Sequence, residues 1–260
     1  MTNQPTQRVD EVSQYYKPVK TIEKINGILF WINVLLSFLM PYAPSFLGKT
    51  WTSIFQAIFL ALVLVYFLLS QASSLLLLPR AEEMRRKQML ANAFATPISI
   101  EKTVLYYNNT YAPSVDRLGA NTMENALFSQ AIADKMLSGR RIRTICYMLT
   151  WFIIFAIRHE NLEVLTWITQ FTFSAEILNI WLRLEILRFR CQKVFEDLHS
   201  YFMNQKQNPT LDVAVVLNSL VAYESAKSNA GVLLSSRDFN QLNPSLSQKW
   251  EEIRQRLGMK

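Results

Sequence analysis

Apolar residues along the chain gather into blocks that charged residues bracket. No charge falls between Lys24 and Lys49, a run of 24 residues. None falls between Lys49 and Arg80, a run of 30 that includes "IFQAIFLALVLVYFLLSQASSLLLL". A helix crosses the hydrocarbon core of a bilayer with about 20 apolar residues, so each run predicts a spanning helix. Pro41 and Pro44 place the turn between them, since proline has no backbone N–H to donate inside a helix. The first run follows a polar leader carrying both charge signs, and no A-x-A-like cleavage site follows it. It is therefore read as an anchor and not as a secretory signal.

A second block is shorter. "TICYMLTWFIIFAI" (Thr144 to Ile157) stops at Arg158, and "VLTWITQFTFSA" stops at Glu176 after 12 residues. Twelve helical residues reach roughly 18 Å, short of a core about 30 Å thick. Read through Glu176 to Leu182, the last segment lengthens to 19 residues and can cross. The fold expected from this pattern is an all-α membrane protein of two transmembrane helical hairpins, four spans in total. Its divisions are a leader (1–24), hairpin one (25–79), a helical region (80–143), hairpin two (144–182) and a helical tail (183–260).

Glu176 belongs to a stripe. Thr169, Thr172, Glu176, Asn179 and Arg183 are spaced 3, 4, 3 and 4 apart, which on a helix places them within about 80° of one another. Trp167, Phe171, Ala175, Leu178 and Trp181 take the opposite side. A carboxylate facing lipid is costly, so such a stripe turns to a bundle interior or to water. Three readings stay open: hydrogen bonds that hold a helix bundle together, the lumen of an oligomeric pore, and a surface hairpin that does not cross. Asn26, Asn33 and Ser37 form a milder polar side on the first span.

Charge then orients the segments. Lys17, Lys20 and Lys24 precede the first span, and Arg80, Arg85, Arg86 and Lys87 follow the second. Arg140, Arg141 and Arg143 precede the third, and Arg183, Arg188, Arg190 and Lys193 follow the fourth. The connecting loops offer only Lys49 and "RHENLE". Basic residues stay on the cytoplasmic side, so both termini and the central region are expected there. The same placement accounts for the net charge of +7 without a DNA or RNA polymer as partner.

Beyond the membrane segments the pattern is helical. "RAEEMRRKQMLANAFATPIS" reads as a helix continuing inward until Pro97. Asn121 with Glu124 three residues on predicts a capped helix start, and Gly139 its stop. The tail predicts a helix after Asn208-Pro209 and a last one in "NPSLSQKWEEIRQRL", capped by Asn243 or Ser245, with Trp250, Ile253 and Leu257 on one face. "YYNNTYAPS" is aromatic, amide-rich and turn-prone. It serves either packing and turns or the reading of a small polar ligand. On the second reading Asn108, Asn109, Arg117, Asn121 and Glu124 are the ligand-binding candidates.

Little in the composition points to catalysis. Six glycines and no GxGxxG or GxxxxGK[ST] string leave phosphate-cradling loops without a basis. Cys146, Cys191, His159 and His199 are too scattered for a zinc site or a nucleophile pair. The adjacent carboxylates Glu82-Glu83 and Glu251-Glu252 read as solvated. No enzyme, metal or cofactor is expected.

The string "YYNNTYAPSVDRLGANTMENALFSQAIADKM" between two hydrophobic hairpins, with "LLSSRDFNQLNPSLSQKWEEIRQRL" in the tail, resembles the four-helix transmembrane effectors encoded beside SMODS-type nucleotidyltransferases in bacterial anti-phage signalling operons. The resemblance implies a homo-oligomeric, pore-forming effector of the bacterial inner membrane, with the lipid bilayer as target and a cyclic oligonucleotide as activator. A membrane-anchored adaptor whose helices bind a protein partner is the alternative.

Overall fold

The computed structural model describes residues 9–101, 103–104, 106–157, 164–204 and 209–259. Its side-chain description leaves out Phe38, Pro41, Val104, Arg143, Tyr147, Thr150, Trp151 and the stretches 153–177 and 209–211. The architecture is all-α, with one short antiparallel ladder in which Val9 and Asp10 (β1) pair with Val104 and Thr103 (β2).

Helix α1 (Ser13–Leu39) ends where the prolines begin, and a 3-10 turn (Met40–Tyr42) leads into α2 (Ala43–Ala72). Gly48, at φ 69° and ψ 164°, breaks the α2 geometry near its start. A π-helical turn (Ser73–Leu77) then joins α2 to α3 (Leu78–Phe94) without a loop. Its cause is local. Pro79 has no N–H for the Leu75 carbonyl, and the Leu78 N–H reaches five residues back to Ser73 O. Among the described residues, the run Ala43–Phe94 is the one long and apolar enough to cross a membrane, and only 11% of its apolar window is buried.

The α1/α2 hairpin has its polarity inverted. Asn33 is 0% exposed and Ser37 and Thr52 are buried, whereas Trp31 (63%), Leu35 (60%), Leu64 and Phe67 face outward. The Asn33 Nδ2 donates to Leu62 O on the facing helix at 3.5 Å. A hairpin in water buries the opposite set.

The rest of the chain forms a helical body. Helices α4 (Val115–Ile157) and α5 (Val164–Asn204) are 43 and 41 residues long and lie against each other over much of their length. Arg141 of α4 grips Glu185 of α5 through two bonds, Nε to Oε1 at 2.6 Å and Nη2 to Oε2 at 3.0 Å. Helices α6 (Pro209–Ala230) and α7 (Ser236–Leu257) complete the body. Its core joins Met89 of α3, Leu118, Met123 and Leu127 of α4, Leu187, Leu198 and Phe202 of α5, Val216 and Tyr223 of α6, and Trp250 of α7. At Gly119 a Cβ would meet the Phe202 ring at 3.2 Å and Val216 at 3.3 Å, so the close approach of α4 to α5 and α6 depends on glycine there.

Several expected boundaries move. Four spans are not supported among the described residues. Helices α4 and α5 pass the expected limits at 143/144 and 182/183 without a break, and the described part of neither is long and apolar enough to cross. Helix α3 stops at Phe94, with Ala95 left-handed at φ 50°, before Pro97 can act. Asn121 is no cap. Helix α4 opens two turns earlier, where Ser114 Oγ accepts from Arg117 N at 3.2 Å, and it runs through Gly139. Likewise α7 starts at Ser236, with Ser235 Oγ accepting from Asp238 N, and carries Pro244 inside it. Trp250, Ile253 and Leu257 do share the face that packs on the core.

Candidate functional site

The aromatic, amide-rich loop is held between α3, α4 and α7 by side chains that the sequence singled out. Asn108 donates from its backbone N to Glu124 Oε2 at 3.2 Å and from Nδ2 to Oε1 at 2.7 Å. Asn109 Nδ2 donates to Asn121 Oδ1 at 2.8 Å, and Asn121 Nδ2 to Asn92 Oδ1 on α3 at 3.0 Å. The Asn108 carbonyl accepts from Trp250 Nε1 at 3.2 Å and Arg254 Nη1 at 2.6 Å. Four of the five ligand candidates thus meet, with Asn121 and Glu124 buried. Their amide and carboxylate groups are spent on one another and on tying α7 to the loop. Arg117 does not join them. Its Nε and the Asn109 Oδ1 are the members of the set with buried atoms that lack a hydrogen-bond partner among the described residues.

Of the stripe on α5, the side chains of Thr169, Thr172 and Glu176 lie outside the described residues. Asn179 and Arg183 are described, and Arg183 Nε donates to Asn179 Oδ1 at 3.1 Å. Its Nη1 donates to Ala230 O at 3.5 Å, at the carboxyl end of α6. A cation there meets the unpaired carbonyls and the negative end of the helix dipole.

A buried ion cluster was not foreseen from the sequence. Glu82, expected to be solvated beside Glu83, is buried. It accepts from Arg85 Nε at 2.8 Å and lies 3.0 Å from Lys227 Nζ. Arg85 Nη2 continues to Glu224 at 2.7 Å, and its guanidinium stands 5.4 Å from the Tyr223 ring centre. Of this pair Glu83 matches the expectation, paired with Lys87 near the surface, as do Glu251 and Glu252 on α7. Burial alone would raise the Glu82 pKa, but Lys227 and Arg85 outweigh it and hold the carboxyl at about 2. The same carboxylates push Arg85 well above its ordinary value against its burial. Two acids and two bases cancel, which is what allows four charges inside a protein. The one available signal was the Glu82/Arg85 spacing of three. Nothing local marks Glu224 and Lys227 as inward-facing.

Beside this cluster lies a cavity of about 30 Å³, lined by Asp10, Ser13, Tyr16, Arg85, Gln88, Thr103, Tyr106 and Tyr107. That is room for about one water, and Arg85, one of the lining residues, has its Nη1 buried without a hydrogen-bond partner among the described residues. The β1/β2 ladder closes it. Glu101, in the same loop, accepts from Tyr15 and Ser99, and these bonds lower its pKa to about 2. Cys191 is buried, which pushes its thiol up to about 12, and Cys146 is exposed.

The arrangement joins three parts mechanically. Helix α3, a direct prolongation of the apolar run, is tied to α6 by the ion cluster and to α4 by Asn92, which accepts from Asn121. The loop is tied to α4 by Glu124 and to α7 by Trp250 and Arg254. No family model matches the chain, and neither does any curated protein or solved structure.

Proposed function

We propose that this chain is a membrane-perturbing, pore-forming effector of the bacterial inner membrane, part of an anti-phage defence system and gated from the cytosolic side. The observation that carries the reading is the hairpin of inverted polarity whose second helix enters the body without a loop. A change in the body then reaches the membrane segment through α3. In this reading the chain is multi-pass with four spans and both termini cytoplasmic, as the distribution of Lys and Arg requires. The stripe Thr169, Thr172, Glu176, Asn179 and Arg183 lines the pore of a homo-oligomer. The activator is a cyclic oligonucleotide, which the resemblance supplies. It is received where Asn108, Asn109, Arg117, Asn121 and Glu124 hold the loop, so that binding exchanges their internal hydrogen bonds for ligand bonds.

A membrane-anchored adaptor is the second reading. One observation favours it: apart from the Asn109 Oδ1, the amides and the carboxylate that hold the loop already pair with each other. Glu176→Leu separates the two. With the protein induced and its activating system present, a potential-sensitive dye should report depolarisation that Glu176→Leu abolishes or alters. Full polarisation with wild-type protein would sink the effector reading, and an adaptor would tolerate the substitution. A topology reporter placed at His159 tests the four spans separately. An inside location there removes the second hairpin from the membrane.

A further inference from the structure

One side chain of α3 holds the near arm of the aromatic loop. Gln88, a turn beyond Arg85 and only 7% exposed, meets three residues of that arm. Its Nε2 donates to Ser99 Oγ at 2.8 Å and to the Glu101 carbonyl, and its Oε1 accepts from Thr103 Oγ1 at 3.3 Å. The Glu101 carboxylate accepts in turn from the Tyr15 hydroxyl of α1. Thr103 and Val104 then pair with Asp10 and Val9 in the β1/β2 ladder. Asp10 is fixed to the first turn of α1, since Ser13 donates from its N to Asp10 Oδ1 at 3.2 Å and from its Oγ to Asp10 O at 2.8 Å. Strand β1 and the first helix of the hairpin therefore move as one piece. The two arms of the loop are fastened unequally. The far arm, at Asn108 and Asn109, is bonded to Glu124, Asn121 and Trp250, all buried. The near arm turns its Ile98 and Ile100 outward, Ile100 95% exposed. Its ladder is two residues long, and the cavity of about 30 Å³ lies beneath it where packed side chains would hold it down. A two-stranded ribbon is barely stable alone, and segments with few buried apolar contacts open first.

We propose that the β1/β2 ladder and its Gln88 clasp form a releasable strap, which ties the foot of α1 to the loop and opens while the body stays folded. What opening does rests on the effector reading above, which places the ligand at Asn108 and Asn109. Drawing those residues toward a ligand pulls on Val104, a few residues back in the chain, and the weaker arm yields first. Release removes the hydrogen bonds that tie α1 to the loop. Helix α3 keeps its own tie, because the Glu82, Arg85, Glu224 and Lys227 cluster does not involve the strap. The hairpin then has one helix held at its foot and one let go, so α1 and α2 can shift against each other. Such unequal release is what turns a local exchange of hydrogen bonds into a change of the membrane segment.

Thiol labelling tests this in the full chain in nanodiscs, with Cys146→Ser as background. Val12, buried at the root of the strap and lining the cavity, becomes the strap's reporter as Val12→Cys. The buried Cys191 reports the body. Gln88→Leu removes three bonds at once. It should speed maleimide labelling at Val12→Cys about ten-fold or more and leave Cys191 as slow as before. Tyr15→Phe removes one bond and should speed it less, in the same direction. Equal rises at both thiols in both variants would overturn the proposal, since strap and body would then open together. So would a Val12→Cys rate that neither variant changes. A lock supplies the second arm. Val9→Cys with Val104→Cys, Cα partners across the ladder, should oxidise to a disulfide. In energised inverted membrane vesicles, with cyclic di- and trinucleotides as the probe, the oxidised pair should stay polarised where wild type depolarises, and reductant should restore the response. Depolarisation by the oxidised pair equal to wild type would overturn the strap and leave the effector reading standing. Wild-type vesicles that stay polarised with every probe would remove the effector reading, and the labelling rates would then decide the strap alone.

Discussion

The α1/α2 hairpin and the α3–α7 body obey opposite rules within one chain. In the hairpin Asn33 and Ser37 are inside and Trp31 and Leu35 outside; in the body Leu118, Met123 and Trp250 are inside and most charges outside. The difference fits the surroundings proposed for each part, lipid for the hairpin and water for the body. Apolar surface is driven inward only where the outside is water. Where the outside is lipid, the drive vanishes and polar groups turn inward to find partners. The two buried asparagines express this. Asn33 makes one long bond to a backbone carbonyl, 3.5 Å, and leaves its Oδ1 unpaired, whereas Asn121 is bonded on both ends of its amide.

The body's exception to its own rule gives the largest expected effect. Glu82→Gln removes one charge from a balanced buried set and leaves Lys227 with less than it needs. Breaking such a set costs about 3 kcal/mol or more, and thermal melting of the protein in nanodiscs should show the body unfolding well before wild type. The acid limb follows in sign. Glu82 is held at about 2 in the folded state, below the ~4.3 of a free glutamate. Its contribution is therefore complete above about pH 4.3 and is lost as pH falls through about 2. A wild-type melt series across that window should decline more steeply than that of Glu82→Gln. Parallel declines would remove the cluster from the account.

How much of this was legible beforehand differs between the two regions for the same reason. A run without charge is a property of adjacent residues, so the two helices of the first hairpin and their turn at Pro41 could be read directly, although among the described residues α1, expected to span, is not found long and apolar enough to cross and only the run from α2 is. The body depends on residues far apart in the chain. Glu82 meets Lys227 across 145 positions, and no local pattern announces it. The Asn121 and Glu124 pairing was legible as chemistry and misread as geometry. Its spacing of three looked like a helix cap, while the tertiary partners Asn109 and Asn108 made it a mid-helix clamp. Four of the five loop candidates do come together because amide-rich loops and amide-rich helix faces satisfy each other, and that complementarity is written in the residue types. Helix α6 was legible as a helix after Asn208-Pro209 but not in its orientation. Which side it packs with becomes plain once Glu224 and Lys227 are placed.

Matched substitutions sharpen the contrast between the two solvents. Asn121→Leu leaves Asn109 and Asn92 unpaired inside the body, at about 2 kcal/mol for the groups stranded. Asn33→Leu removes a single membrane-type bond worth about 0.6 kcal/mol. Urea or thermal unfolding in nanodiscs should therefore separate the variants several-fold, with Asn33→Leu close to wild type. Equal losses would mean that the hairpin interior is as demanding as the body, and the inverted polarity would need another cause.

The smallest contrast lies in the backbone. Each region holds a positive φ near a helix end, Gly48 in the hairpin and Ala95 where α3 stops. They are not equivalent. Gly48 combines φ 69° with ψ 164°, a region open essentially to glycine alone, and nothing lies within 4 Å of a Cβ added there. Gly48→Ala is then a pure backbone penalty of about 1 to 2 kcal/mol, with no steric term to confuse it. Ala95, at φ 50° and ψ 35°, is in the left-handed well that an alanine enters at a cost of about 1 kcal/mol. Ala95→Gly relieves that cost but widens the unfolded ensemble by a similar amount, so the net gain should stay near 0.5 kcal/mol or below. Melting curves of the two variants should move in opposite directions, Gly48→Ala downward and Ala95→Gly flat to slightly upward. A clear loss in Ala95→Gly would show that the turn is held by the alanine methyl and not merely tolerated by the Ala91 carbonyl that caps it.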